Sequence, residues 1–308
     1  MKAIVTGGAG FIGSNLTDYL IANQMEVTII DNLSSGFKKN INPTAKFYLA
    51  DVRDKEVVDT IFSLEKPDFV FHLAAQIDVR LSIENPFLDA AINIMGGLNI
   101  LDACRIHKTK KIIYANSVAL YGSVPASNLP IQETFSPTPD SPYGASKHSF
   151  EHYLTIYEKL YGLRYSILRF ANVFGDRQNS EGEGGVVAIF LGKLLNKKSP
   201  TIYGTGKQTR DYIYVKDIVK ACYTSINKGD SHSFNIGTQK ETSVNDLFST
   251  LQSVCKTNVT PIYASSRPGE IDRSVLDCWK AQELLGWKAE HSLEEGLKST
   301  YQSFQKKL

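Results

Sequence analysis

The side chains best suited to chemistry lie near the middle of the sequence. Tyr143 and Lys147 are four residues apart at the start of a predicted helix, so their side chains share one face. An ammonium group beside a phenol stabilises the phenolate, so we expect Lys147 to lower the pKa of Tyr143, as a general base requires. Ser117 ends a predicted strand and could bring a hydroxyl group to the same place. These residues predict a site for general base catalysis.

A glycine-rich turn near the N-terminus could bind the phosphates of a nucleotide. Gly7, Gly10 and Gly13 follow a short apolar run and precede an amphipathic helix. The first glycine permits a tight turn, the second lets the backbone approach a pyrophosphate, and the third lets the helix pack against the strand. Free N–H groups and the helix dipole would then face the anion. The turn therefore predicts a dinucleotide site.

Asp31 follows the second predicted strand and indicates which dinucleotide binds. An acid at this place accepts hydrogen bonds from both adenosine ribose hydroxyl groups and repels the 2′-phosphate of NADP. NAD is therefore the predicted cofactor. The alternative is that Asp31 only begins the turn that ends at Gly36. Asp51 follows the third predicted strand and could contact the adenine, although a lone aspartate there is more often a turn residue.

The elements that must position these residues alternate along the first half of the chain. Apolar runs typical of buried strands lie at 3–5, 27–30, 46–49, 69–71, 111–115 and 165–170. Helical patterns include 11–23, 86–107, 142–161, 185–196, 215–226, 244–255 and 293–304. We predict an α/β fold, a Rossmann-type doubly wound parallel sheet with a smaller α/β substrate-binding lobe. The expected domains are an NAD-binding domain at 1–171 and a lobe at 172–308, interleaved with the first.

Composition limits the class of protein. The 308 residues carry a net charge of +2, so no global field attracts nucleic acid or an anionic membrane. Four scattered cysteines are typical of reduced core residues in a cytosolic protein, and we expect a cytoplasmic location. The apolar stretch 186–195 is broken by Gly192 and Lys193, so no segment is expected to span a bilayer.

One short motif suggests a metal site. The residues at 148–152 have the spacing H-x-x-E-H, in which two histidines could share a zinc ion. No other part of a metalloprotease site is apparent, and short motifs match by chance. We therefore predict no metal.

Taken in order, the motifs resemble those of the extended short-chain dehydrogenase/reductases, the NAD-dependent epimerase/dehydratase family, and most closely its UDP-glucose 4-epimerases. The resemblance covers essentially the whole chain. It rests on T-G-G-A-G-F-I-G at 6–13, D-N-L at 31–33, H-L-A-A at 72–75, S-V-A-L-Y-G at 117–122, Y-x-x-x-K at 143–147, L-R-F-A-N-V-F-G at 168–175, R-D-Y-I-Y-V at 210–215 and R-P-G-E at 267–270.

The resemblance implies roles for individual residues. The implied catalytic triad is Ser117, Tyr143 and Lys147. The implied NAD contacts are Gly7, Gly10, Phe11, Ile12, Gly13, Asp31, Asn32, Ser35, Gly36, Asp51, Val52, Leu73, Ala74, Ala75, Tyr143 and Lys147. For the substrate, the resemblance implies Ser117 at the sugar, Asn172, Arg210 and Arg267 at the diphosphate, Glu270 at the uridine ribose, Tyr203 near the uracil and Ser274 at the sugar-pocket gate.

The implied reaction is the C4 epimerisation of a UDP-hexose. Tyr143 takes the proton of the sugar 4-OH, the C4 hydride passes to NAD, the 4-keto sugar turns over, and the hydride returns to its other face. Val118 and Ala119 stand where dehydratases and decarboxylases of the family carry an acid, which favours epimerisation. A small residue at Ser274 predicts that N-acetylated UDP-hexoses are accepted with UDP-glucose and UDP-galactose.

The resemblance also implies a homodimer formed through the helices at 86–107 and 142–161. The apolar residues expected to form this interface are Phe87, Ile94, Leu98, Phe150, Leu154 and Tyr157. The alternative is that they are simply buried within the monomer. Two alternative functions also remain: another nucleotide-sugar enzyme of this fold, such as a UDP-glucuronate epimerase or a 4-reductase, and a non-catalytic NAD-binding regulator. The regulator would be expected to lose part of the triad.

Overall fold

A parallel sheet forms the centre of the protein in the computed structural model, which describes residues 1–180, 185–266 and 271–306. In chain order the strands are β1 (Lys2–Thr6), β2 (Glu26–Asp31), β3 (Lys46–Leu49), β4 (Phe69–His72), β5 (Lys111–Ser117), β6 (Arg164–Phe170), β7 (Asn172–Phe174), β8 (Thr201–Tyr203), β9 (Thr209–Arg210), β10 (Tyr212–Tyr214), β11 (His232–Ile236), β12 (Thr242–Ser243) and β13 (Ile262–Ala264). Seven of them pair in the order β11–β6–β5–β4–β1–β2–β3, and every pairing in this sheet is parallel.

Helices cover both faces of this sheet. In chain order the α-helices are α1 (Phe11–Ala22), α2 (Lys55–Glu65), α3 (Val79–Glu84), α4 (Pro86–Ala90), α5 (Gly97–Ile106), α6 (Pro142–Tyr161), α7 (Val186–Leu195), α8 (Val215–Thr224), α9 (Val244–Cys255) and α10 (Leu293–Gln305). A π-helical stretch, Ala91–Gly96, joins α4 to α5. The bounds of α6 and α9 agree with the sequence pattern, α3 was not predicted, and the helix predicted at 86–107 contains the π-helical stretch between α4 and α5.

The strand order creates a crevice at one edge of the sheet. The chain runs outward from β1 through β2 to β3, and then returns to place β4 on the other side of β1. In doubly wound sheets, ligands bind outside the carboxyl ends of the strands where the order reverses. This arrangement confirms the predicted Rossmann-type fold and places the crevice between β1 and β4.

Both faces of the sheet are buried, which explains the uninterrupted apolar runs in its strands. Ile4 and Val70 belong to one hydrophobic cluster, and their neighbours Val5 and Phe71 belong to the other. Because successive side chains of a strand point to opposite faces, such runs are typical of a parallel sheet covered on both sides. Three of the four cysteines are also buried, as expected of core residues: Cys104, Cys222 and Cys278.

The described residues after 171, which were predicted to form the smaller lobe, contribute one strand to the central sheet. Strand β11 pairs with β6, with Phe234 opposite Leu168. The shorter strands of this half pair as β7 with β10, β9 with β12, and β8 with β13. Three of the predicted substrate residues lie on these short strands: Asn172, Tyr203 and Arg210.

The helical run Pro86–Ile106 corrects the expectation that no segment is long enough to span a bilayer. Its 21 residues meet the length and hydropathy of a membrane-crossing helix, and 44% of its most apolar window is buried inside the protein. Buried core helices meet the same criteria, so this run alone is weak evidence for a membrane span. The cytoplasmic location stays a prediction.

Candidate active site

Tyr143 and Lys147 lie in the first turns of α6, packed against the end of β5. The side chain of Ser141 caps the helix by accepting a hydrogen bond from the N–H of Gly144. Tyr143 is 8% exposed and Lys147 is 4% exposed. The Nζ atom of Lys147 donates to the carbonyl oxygen of Ala115 at 2.6 Å and lies 4.2 Å from the ring centroid of Tyr114. The helix cap and strand β5 therefore fix both side chains.

Ser117 reaches the same place from β5. It is the last residue of that strand, and its hydroxyl oxygen accepts a hydrogen bond from the N–H of Ala119 at 3.2 Å. Its own N–H donates to the side-chain oxygen of Asn116 at 2.7 Å. A hydrogen bond from Ser117 also acts to lower the pKa of Tyr143, so these two side chains lie within hydrogen-bonding reach.

Burial dominates the titration of this site. It raises the pKa of Tyr143 to about 12, opposed by the hydrogen bond from Ser117 and reinforced by the carboxylate of Asp89. It lowers the pKa of Lys147 to about 7, opposed by Asp89 and Glu151. The expectation that Lys147 lowers the pKa of Tyr143 is not met in this structure, because burial raises that pKa.

The glycine turn places backbone N–H groups at the crevice. Gly7 has a φ of +71°, and a Cβ atom there would lie 2.9 Å from the backbone nitrogen of Ala74. A Cβ atom on Gly13 would lie 2.2 Å from the carbonyl oxygen of Gly7. Helix α1 begins after Gly10 without a side-chain cap. The turn can therefore accept a pyrophosphate, with Phe11 and Ile12 in the first turn of the helix.

Asp31 organises the loop beside this turn. One carboxylate oxygen accepts the N–H of Ala9 at 2.9 Å, and the other accepts the N–H of Leu33 at 2.8 Å. Gly36 packs against Ala9, where a Cβ atom would lie 2.9 Å from the carbonyl carbon. Asp31 thus has the loop role of the alternative interpretation, while a carboxylate keeps further lone pairs for ribose hydroxyl groups.

The remaining predicted NAD contacts line the same edge of the sheet. Asp51 accepts hydrogen bonds from Arg53 and from Asn32, and the Arg53 guanidinium holds the pKa of this carboxyl group well below its usual range. Leu73 and Ala74 follow β4, and both donate their N–H groups to the hydroxyl of Thr6 at 3.1 Å. The others are Ser35, which is exposed, Val52, which is buried, and Ala75, which is half-buried.

The H-x-x-E-H motif does not form a metal site. The rings of His148 and His152 lie 4.9 Å apart, but the carboxylate of Glu151 is bound by Arg169 at 2.6 Å. In the part of the chain that the structure describes, no group of three or more His, Cys, Asp or Glu residues could hold a metal ion.

Comparison with known proteins decides the family. A model of the NAD-dependent epimerase/dehydratase family matches residues 3–237. The chain belongs to this family. It is 45% identical to the UDP-glucose 4-epimerase of Thermotoga maritima, solved with UDP-glucose, at a TM-score of 0.97, covering 100% of this chain and 99% of that one. It is 38% identical to the UDP-glucose 4-epimerase of Mycolicibacterium smegmatis, covering 100% and 99% of the two chains.

A third relative of the family has a different named substrate. The chain is 37% identical to the UDP-N-acetylglucosamine 4-epimerase of Methanobrevibacter ruminantium M1, solved in complex with UDP-N-acetylmuramic acid. The TM-score is 0.95, and the match covers 100% of this chain and 99% of that one.

The structure brings several of the substrate residues implied by the family resemblance close to one another. Arg210, on β9, donates to the carbonyl oxygen of Thr209 at 2.7 Å. The same carbonyl oxygen accepts the N–H of Ser274 at 3.3 Å, and Ser274 is 6% exposed. Asn172 begins β7 with an exposed side chain, and its N–H donates to the carbonyl oxygen of Asp211 at 2.9 Å. Arg210 and Ser274 therefore lie close together, since both donate a hydrogen bond to the carbonyl oxygen of Thr209.

Of the three other predicted substrate residues, the structure describes one. Tyr203 ends β8 and is half-buried, in the strand that pairs with β13. Arg267 and Glu270 lie outside the described residues.

Behind the family's triad lies a buried polar network that sequence reasoning missed. Glu151 accepts hydrogen bonds from the Asn116 side chain at 2.6 Å and from Arg169 at 2.9 and 2.6 Å. Arg169 also donates to the hydroxyl of Tyr121 at 2.7 Å, which in turn donates to Asn235 at 2.8 Å. The network ties α6 to β5, β6 and β11. The sequence feature that could have revealed this network is Arg169, a charged residue inside the apolar run of a buried strand.

Proposed function

We propose that the protein catalyses C4 epimerisation of UDP-glucose and UDP-galactose with NAD as its cofactor. Family membership and the names of its full-length relatives support this reaction. The observation that carries the proposal is that Ser117, Tyr143 and Lys147 converge at the end of β5, on the sheet edge that also holds the glycine turn. A sugar bound there would lie between a general base and the dinucleotide site.

Each residue of the triad has a distinct task. Tyr143, as phenolate, takes the proton of the sugar 4-OH, and Ser117 bonds that hydroxyl or relays its proton. Lys147 holds the nicotinamide ribose and supplies positive charge near the phenolate. NAD, when bound, supplies the acceptor for the C4 hydride and the donor for its return. Because burial raises the pKa of Tyr143, its phenolate is a strong base once formed.

The residues after Ser117 favour epimerisation over elimination. Val118 and Ala119 form a short helical turn directly after β5, and neither side chain can donate or accept a proton. A dehydratase needs a further acid or base at the sugar, whereas epimerisation needs only the base, a hydroxyl group and the cofactor.

Proton NMR tests the reaction. The purified protein is incubated with UDP-glucose, UDP-galactose, their N-acetylated forms and UDP-glucuronate, each in turn. We expect UDP-glucose and UDP-galactose to interconvert, with the change visible in the coupling of the proton at C4. Turnover of UDP-glucuronate alone would contradict the proposed substrate.

Asp31→Asn is expected to raise affinity for NADP relative to NAD on the order of tenfold, because one negative charge beside the 2′-phosphate disappears. Asparagine keeps one of the two oxygens that accept the N–H groups of Ala9 and Leu33, and it loses the other. Cofactor titrations by fluorescence measure both affinities. A wild-type protein that binds NAD and NADP equally would overturn this role of Asp31.

Ser274→Tyr is expected to reduce turnover of the N-acetylated sugars about tenfold while largely sparing UDP-galactose. Overpacking a filled pocket typically costs about 1–3 kcal/mol, and Ser274 is already buried beside Thr209. The relative that is named a UDP-N-acetylglucosamine 4-epimerase supports acceptance of acetylated sugars. Ser253→Tyr, on the exposed face of α9, is the control. Equal losses for both sugars would mean that Ser274 does not set the size of the pocket.

We further propose a homodimer through α4, α5 and α6. Phe87 on α4 is 86% exposed and Leu160 on α6 is 63% exposed, and Met95 in the π-helical stretch between α4 and α5 is 58% exposed, which leaves an apolar surface on this side of the protein. The prediction is wrong for two of the expected interface residues. Phe150 and Leu154 are buried in the monomer, at 0% and 1% exposure.

Light scattering at micromolar concentration is expected to show a dimer, and Phe87→Asp is expected to shift it toward the monomer. A monomeric wild type would contradict this proposal.

A further inference from the structure

Asp89, in α4, carries a buried carboxylate that none of the triad roles uses. It is 1% exposed. One oxygen accepts hydrogen bonds from the side-chain amides of Gln76 at 3.0 Å and Asn93 at 3.1 Å. The other oxygen is buried and has no hydrogen-bond partner. A buried charge is costly unless it is paired, so a carboxylate at this place calls for a nearby cation.

Hydrogen bonds connect Asp89 to the catalytic helix. The side-chain nitrogen of Asn93 lies 3.1 Å from the hydroxyl oxygen of Ser146. That hydroxyl donates to the carbonyl oxygen of Tyr143 at 3.0 Å, and Ser146 immediately precedes Lys147. Asn93 belongs to the π-helical stretch Ala91–Gly96, which follows α4. The segment directly after Asp89 is therefore hydrogen-bonded, through Asn93 and Ser146, to the turn of α6 that bears both proposed catalytic residues.

A second buried carboxylate near Lys147 already has a cation. Glu151 lies one turn further along α6, and Arg169 binds both of its oxygens at 2.9 and 2.6 Å. This fork neutralises the charge of Glu151 locally. Asp89 has only amide donors among its hydrogen-bond partners in the described chain. The Asp89 carboxyl group raises the pKa of Lys147, so among the described residues Lys147 is the cation that it can balance.

The other titratable groups that face Lys147 are neutral. His72, on β4, is buried, and burial together with Lys147 lowers its pKa to about 3. Tyr114, on β5, lies under the Lys147 ammonium group, and burial raises its pKa well above the ordinary value. Tyr143 shares the face of α6. In the part of the chain that the structure describes, Asp89 is therefore the buried acidic group near Lys147 that is hydrogen-bonded by amides alone.

We propose that Asp89 is the counter-charge of Lys147 and a positioning residue for the Tyr143–Lys147 pair. This inference rests on the proposed function of that pair. The carboxylate keeps the Lys147 ammonium group charged in a dry site, and its amide partners hold the first turns of α6 in place. Its charge also raises the pKa values of both side chains.

The sign of the effect follows from the charge. Removing a negative charge makes every nearby group lose its proton at a lower pH. Lys147 and Tyr143 then both lose their protons at a lower pH, so both limbs of the turnover profile move toward acid. A purely structural defect would lower the profile without moving either limb.

Asp89→Asn, which keeps the shape of the side chain, tests this inference through the pH profile of kcat. We expect both limbs to move toward lower pH by at least about half a unit. The control is Asp102→Asn, which removes a partly exposed carboxylate paired with Arg105 on the same helical run, and which should leave both limbs in place. Limbs that stay in place in Asp89→Asn would overturn the inference.

A spectroscopic readout separates this inference from the proposed function. The NMR signal of the Lys147 side chain, assigned by its loss in Lys147→Met, is followed against pH in the wild type and in Asp89→Asn. We expect its midpoint to fall in the variant whether or not the protein turns over a sugar. An unchanged midpoint would overturn the inference, whereas a wild type without epimerisation would overturn only the proposed reaction.

If Asp89→Asn does not fold, the inference is tested in the wild type by the carbon-13 signal of the Asp89 carboxyl group. A carboxylate form at pH 8 supports the counter-charge, and a protonated form at pH 8 overturns it.

Discussion

Tyr143→Phe is expected to fold, to retain NAD and to lose at least ~100-fold in turnover, since general base catalysis typically contributes that much. The substitution removes one oxygen atom from a side chain that is 8% exposed, and the ring keeps its packing. Turnover is measured with UDP-galactose, NAD binding by fluorescence, and folding by circular dichroism.

The matched control is Tyr153→Phe. Tyr153 lies on the same helix α6, is half-buried, and packs against a hydrophobic cluster of the core. Its loss of a hydroxyl group should leave turnover nearly unchanged. Near-normal epimerisation by Tyr143→Phe would remove Tyr143 from the role of base.

Glu151→Gln is expected to reduce the free energy of unfolding by about 3–5 kcal/mol, because removing one partner of a buried ion pair leaves the other uncompensated. The side chains of Glu151 and Arg169 are each 7% exposed. Glutamine would also turn an NH₂ group toward the Arg169 fork or toward the Asn116 amide, and these are both donors. Urea unfolding measures the loss.

Two further variants serve as a control and as a rescue for the prediction on Glu151→Gln. Glu294→Gln breaks an exposed pair with Lys298 on α10, and should change stability by less than about 0.5 kcal/mol. Replacing Glu151 and Arg169 together by methionine should restore part of the stability, because neither charge is then left alone. A Glu151→Gln protein as stable as the wild type would mean that the pair does not hold α6 to β6.

Local patterns predicted the parts of the site that a short segment specifies by itself. The glycine turn, the spacing of Tyr143 and Lys147, and the serine at the end of β5 are each legible within a few residues. Their positions followed from a general rule, since the carboxyl ends of parallel strands meet at one edge. The doubly wound fold was predictable for the same reason, because buried strands and amphipathic helices alternate in the sequence.

The polar networks behind the site were not predictable, because each joins elements that are far apart in the chain. Glu151 and Arg169 come from α6 and β6, and within the sequence Glu151 suggested a metal motif. Asp89 meets Gln76 through the folding of the segment after β4, which no periodicity describes. The sequence also overstated the effect of Lys147 on Tyr143, because the degree of burial depends on the whole fold.

Helix periodicity likewise left the exposed surface of the long helices uncertain. Phe150 and Leu154 have the spacing of an apolar face, and the structure shows that this face packs on the sheet. The exposed apolar residues Phe87 and Leu160 lie outside that face. Periodicity indicates that a helix has an apolar side, but only the packing shows which neighbour covers it.

The most direct test of the account follows deuterium placed at C4 of UDP-galactose. Removal of a hydride from C4 and its return to the other face predict UDP-glucose that keeps deuterium at C4, with no net formation of NADH. Proton and deuterium NMR of the product, with absorbance of the reduced cofactor, measure both quantities in one reaction. Loss of the deuterium to water, or NADH that accumulates in step with substrate consumption, would contradict C4 epimerisation.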